Sequence, residues 1–144
     1  MTENEVKHLE FIQSNIARMG QNSFYMKGWA LAVLAAVLAL YAASVGDNGY
    51  GNTVFLYVAV IPTTVFWLLD SYYLQQERKF RGVYNDVAKL SEESTRINIK
   101  PFEMPLYKYN GGKYSLTSVI FSITEYPLYL TIIVGLTIAG CVLK

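Results

Sequence analysis

The chain contains a single cysteine, Cys141, and a single histidine, His8. One cysteine excludes an intrachain disulfide, and the pair together cannot supply the ligand spacings of a zinc site. With His8 alone in a polar segment, no His–Ser or His–Cys catalytic pair shares a region. His8 reads as a surface residue, and Cys141 as a small apolar residue facing lipid or a neighbouring helix. No GxGxxG or phosphate-cradling loop is present, and Gly111-Gly112-Lys113 is a turn signal only. No metal or cofactor site is expected.

Charge is missing in a more telling way. Three stretches, Gly28 to Gly46, Asn48 to Leu69 and Tyr126 to Leu143, hold no Asp, Glu, Lys, Arg or His. About 20 such residues cross about 30 Å of hydrocarbon as a helix. An enzyme acting within a bilayer needs acids or a nucleophile there, so these spans argue against catalysis. Eleven of the 12 Lys and Arg residues fall on one side of the stretches, and only Lys144 falls on the other. The positive-inside rule then orients the chain with its N-terminus and residues 70–125 inside, the Asp47 loop outside and its C-terminus outside. Acidic Glu3, Glu5 and Glu10 precede the first stretch, unlike the basic start of a cleaved signal peptide.

The expected fold class is an all-α membrane protein. It has a cytoplasmic amphipathic helix over 1–27, spans over 28–46, 53–69 and 126–143, and a cytoplasmic helix extension with loops over 70–125. Val6, Leu9, Ile12, Ile16 and Met19 form one helical stripe in the N-terminal segment. Gly20 to Ser23 reads as a break, with Asn22 or Ser23 capping the next helix. In the first span Gly28, Ala32 and Ala36 form a small-residue row that favours close helix approach. Gly135, Ala139 and Gly140 make a second small face. Pro62-Thr63-Thr64 places a kink in the second span.

Leu69, Tyr73, Gln76, Phe80, Val83, Val87 and Leu90 recur at heptad spacing, so the second span continues into the cytoplasm as a seam. Either the N-terminal stripe or the same seam of another subunit can cover it, and a homo-oligomer is the favoured assembly. Asn110-Gly111-Gly112, among Tyr107, Tyr109 and Tyr114, reads as the turn of a small hairpin. Leu116 to Thr124 is apolar, too short to span, and reads as an elbow flat on the inner surface.

Two polar groups are candidates for function. Lys27 and Asp70 stand at the same inner depth and pair if their helices are adjacent, although two separate snorkelling charges are the simpler reading. Arg78, Lys79 and Arg81 form a basic cluster suited to a polyanion or a lipid headgroup, with topology enforcement as the plainer role.

The strings Arg18-Met-Gly-Gln-Asn-Ser-Phe-Tyr-Met-Lys-Gly-Trp29 and Asp70-Ser-Tyr-Tyr-Leu-Gln-Gln-Glu-Arg-Lys-Phe-Arg81 resemble a family of small bacterial membrane proteins from phage-defence operons. Over residues 7–90 the chain is similar to the membrane effector of Hailong-type systems, which is encoded beside a nucleotidyltransferase. The resemblance implies an oligomeric ion channel, held shut by a nucleic-acid oligomer made by the partner enzyme and released when infection removes that ligand. The alternative is an accessory or scaffold subunit of a larger membrane complex. In the topology derived above, a reporter fused after Lys144 is expected to read periplasmic and one inserted near Asn110 cytoplasmic; the same side for both would eliminate the third span.

Overall fold

A computed structural model describes residues 2–143; Lys144, the basic residue assigned to the outer side, lies outside them. The described residues are all helical apart from turns, with no strand. Five helices appear in chain order: α1 (Glu3–Ala43), α2 (Val54–Val58), α3 (Val60–Val87), α4 (Leu116–Ile120) and α5 (Tyr126–Val142).

Helix α1 starts at a capping box. The Thr2 hydroxyl accepts from the Glu5 N–H at 3.3 Å, and the Glu5 carboxylate accepts from the Thr2 N–H at 2.6 Å. The helix then runs unbroken for 41 residues, about 60 Å. The break expected at Gly20 to Ser23 is absent. Ser23 turns its hydroxyl sideways to Asp70 of α3, so it does not act as a cap. Gly20 lets α3 come close: a Cβ there would stand 3.3 Å from Glu77 Oε2. The helix penalty of one glycine, about 1 kcal/mol, is outweighed by packing against α3.

Between α2 and α3 the rod bends at Ala59, three residues before Pro62, whose missing N–H leaves the Val58 carbonyl without its helical donor. Thr63 and Thr64 bond the next two carbonyls, Ala59 and Val60, at 2.8 and 2.9 Å. Helix α3 lies antiparallel to α1, with Asp70 beside Ser23, Glu77 beside Gly20, and Phe80 and Val83 beside Ile12.

These pairings divide the molecule into an apolar half and a polar lobe. In the lobe, Ile12, Phe80, Val83 and Tyr109 form a core, with Ile16, Met19 and Val87 packed against it. The heptad seam therefore meets the N-terminal stripe of the same chain. Its ends do not take part: Leu69 is exposed, and Leu90 lies beyond the last turn of α3. Tyr73 is half-buried.

The hairpin expected around Asn110 is also absent; two short 3-10 turns, Leu106–Lys108 and Gly112–Tyr114, occupy the segment. They wrap the end of α3 because Tyr109 sits on Gly82, where a Cβ would come within 2.6 Å of its ring. Side-chain packing on α3 replaces the ladder bonds of a strand pair.

The apolar half holds the other core, Leu56, Ala59 and Leu136. Gly140 receives Tyr57, whose ring would lie 2.7 Å from a Cβ, whereas Gly28 and Gly135 meet nothing within 4 Å. Two helices, α1 and the α2–α3 rod, are long and apolar enough to cross a membrane. Their most apolar windows are only 6% and 28% buried, unlike the core helices of a soluble domain. Helix α5 is shorter, 17 residues or about 25 Å. After α4 the chain turns, with Val119 buried and Phe121 and Ile123 exposed.

Burial predicts unequal effects for two seam substitutions. Val83→Asp puts a carboxylate into a site without solvent access and is expected to destabilise the lobe by about 3 kcal/mol or more. Leu90→Asp, at a position 69% exposed, is expected to change stability by less than about 0.5 kcal/mol. Thermal unfolding and limited proteolysis in detergent measure both.

Candidate functional site

Where the apolar half meets the lobe, three helices converge on one cation. Lys27 of α1 donates to Asp70 Oδ2 of α3 at 2.6 Å and to Glu125 Oε1, just before α5, at 2.9 Å. Asp70 also accepts from the Tyr129 hydroxyl at 2.8 Å and from the Ser23 hydroxyl. Asp70, Glu125 and Tyr129 are all buried. Trp67, one turn before Asp70, stacks on Tyr129 with centroids 6.1 Å apart and planes 11° apart.

The geometry follows from helix spacing. Ser23 and Lys27 are one turn apart on α1 and present side by side to α3. Pro127 in the first turn of α5 fixes its entry, so Glu125 and Tyr129 bracket that turn. Lys27 and Asp70 thus form one bonded group, not two separate snorkelling charges. From the sequence, Glu125 and Tyr129 have no assigned role, and Ser23 reads as a candidate helix cap. The available signal was that residues 27, 70 and 125 each flank an uncharged stretch on the same side.

The cluster is unbalanced. One ammonium faces two carboxylates, and Glu125 Oε2 is buried with no hydrogen-bond partner. Burial pushes the Glu125 carboxyl above the usual carboxylate range, although Lys27 pulls it back down.

A third buried carboxylate closes the lobe. Asp86 Oδ2 accepts from the Tyr109 hydroxyl at 2.6 Å and from the Ile97 N–H at 3.3 Å, tying the segment after α3 to that helix. Burial, reinforced by Asp86, raises the Tyr109 phenol above its ordinary value, so it remains the donor.

The three basic residues Arg78, Lys79 and Arg81 lie within one turn of α3 and differ in their partners. Arg78 donates to the Lys113 carbonyl at 3.1 Å, while Arg81 pairs with Glu77 at 2.7 Å. Lys79 forms no ion pair among the described residues. Arg81 also lines a groove of about 450 Å³ between α1 and α3, with Gln13, Tyr84 and Asn85.

His8 is not a surface residue. It lies one turn before Ile12 on the packed side of α1, beneath Phe102 with ring centroids 5.8 Å apart. It lines a cavity of about 400 Å³ with Arg96, Lys89 and Asp86. Cys141 is exposed, with its Sγ 3.7 Å from the Tyr57 hydroxyl.

No family model matches this chain, and no curated protein or solved structure matches it either. The site is therefore read from its own geometry.

Removing Lys27 would leave two carboxylates facing each other without a cation. Lys27→Met is expected to cost about 3 kcal/mol, the lower end for a buried pair because the lysine is a quarter exposed. Lys7→Ala breaks only the exposed pair with Glu3 and is expected to cost less than about 1 kcal/mol. Thermal unfolding of the two variants in one detergent compares them directly.

Proposed function

We infer that this chain is a three-span inner-membrane effector that assembles as a homo-oligomer and passes ions under the control of a cytoplasmic ligand. The observation that carries the reading is mechanical continuity. Helix α1 and the α2–α3 rod each extend from the polar lobe into the apolar half, and the Lys27 cluster joins them to α5 at the junction. A ligand that shifts the lobe end of α1 against α3 moves the apolar ends of the same helices. Such coupling suits a gated pore better than a passive anchor.

Charge asymmetry supports the topology, with the lobe inside and α5 as the third span despite its length. Homo-oligomerisation is supported by the face of α1 that no other helix covers. Gly28 has open space around it, within a groove formed by Phe24, Trp29 and Ala32. In lipid such a small-residue face associates by close packing. Phe121 and Ile123 lie beside the junction and suit the inner leaflet.

The ligand of this reading is a nucleic-acid oligomer made by an operon-encoded nucleotidyltransferase, in a system of anti-phage defence. Both assignments follow from the resemblance of residues 7–90. The groove with Arg81, Tyr84, Asn85 and Gln13 offers a cation, an aromatic face and amides to such a ligand. Around a ring of subunits, Arg78 and Lys79 add to the same field.

Purified protein in liposomes is expected to dissipate an imposed potassium gradient, with a flux that short oligonucleotides change. Arg81→Ala is expected to weaken oligonucleotide binding about tenfold and to flatten its salt dependence. Ion-tight liposomes under every ligand condition would leave the accessory-subunit reading in its place.

A further inference from the structure

The charges around Lys27 do not cancel, and the excess is buried. Each surrounding element contributes a known set of groups. Helix α1 supplies Lys27 and the neutral Ser23; α3 supplies Asp70 with the neutral Ser71 and Trp67; the α5 end supplies Glu125 and Tyr129. Among the described residues, the ion pairs within this cluster are those of Lys27 with Asp70 and Glu125, so the cluster with both acids ionised carries one uncompensated negative charge. Asp70 is fully satisfied, accepting on both oxygens. Glu125 is not: Oε1 meets Lys27, while Oε2 is buried with no donor.

A buried carboxylate oxygen lacking a donor is the place where a proton removes the excess charge. We propose that the cluster binds one exchangeable proton, held on Glu125 beside Asp70, and that this proton keeps the start of α5 docked against α1 and α3. Protonation needs no co-reactant beyond water. Glu125 gains the proton, Lys27 keeps its ammonium to neutralise Asp70, and the sum becomes zero. Loss of the proton sets two carboxylates against one ammonium, and the repulsion between Glu125 and Asp70 then opposes the docking that Lys27 and Tyr129 provide.

The direction with pH follows. An acid that holds its proton more tightly when docked stabilises the docked form below the ordinary glutamate range. That stabilisation is lost as pH rises through the raised value. The inference concerns docking of α5 and does not depend on ion conduction.

The full chain in lipid nanodiscs provides the test. Trp29→Phe leaves Trp67, stacked on Tyr129, as the single tryptophan reporter of α5 docking. Its emission is expected to change reversibly with a midpoint at least about one unit above the ~4.3 of a free glutamate. Infrared spectra below that midpoint are expected to show a protonated carboxyl band that is missing in Glu125→Gln. That variant mimics the protonated acid, so its Trp67 signal is expected to stay in the docked form at every pH. Asp70→Asn leaves Lys27 and Glu125 as a matched pair and is likewise expected to abolish the titration. The second variant keeps the test decisive if the first fails to fold.

A flat Trp67 signal from about pH 5 to about pH 9, with no protonated band, would overturn the proposal. A titration that persists in either folded variant would overturn it as well. A response that follows sodium concentration at fixed pH would replace the proton with a metal cation.

Discussion

A single ammonium shared by two buried carboxylates is the interaction on which the arrangement of α1, α3 and α5 depends. Among the described residues, Lys27 alone bonds both an acid of α3 and the acid just before α5, and without it the polar tie at that end of α5 is the Tyr129–Asp70 bond. Such a group stabilises weakly in net terms, because desolvating three charges offsets much of their attraction. Its effect is on specificity. In an environment as apolar as the helices themselves, hydrophobic burial does not select one packing over another, whereas a polar group with one set of partners does.

The lobe uses the same device at its own scale. Asp86 collects Tyr109 and the Ile97 N–H, and the segment beyond α3 closes over a core too small to hold it by burial alone. Gly82 is what permits the contact, since any Cβ would strike the Tyr109 ring. The lobe and the junction therefore share α1 and α3 as common struts. The two sites are joined by unbroken helix.

Much of the architecture was legible in the sequence. The uncharged stretches marked the long apolar helices, and the heptad spacing of Phe80, Val83 and Val87 marked the face that packs. Period and composition are local properties, and local patterns survive folding. The errors arose where a local signal met a tertiary competitor. Gly20 to Ser23 has the chemistry of a helix break, yet Asp70 captures Ser23 and Glu77 crosses Gly20. Asn110-Gly111-Gly112 has the chemistry of a hairpin turn, yet Tyr109 docks on Gly82 and no strands form. His8 stands in a polar run, yet its phase relative to Ile12 turns it inward.

The sequence by itself determined the helical class, two of the three expected spans as long apolar helices, and the distribution of charge along the chain, because each depends on residue type and spacing. Only the tertiary structure decided which charges are partners. Lys27, Asp70 and Glu125 are far apart in sequence, and nothing in their neighbourhoods distinguishes a paired residue from a snorkelling one. Pairing depends on helix rotation and depth, which are set when α1, α3 and α5 pack. The same packing gives Arg78 the Lys113 carbonyl as a partner and leaves Arg81 paired with Glu77.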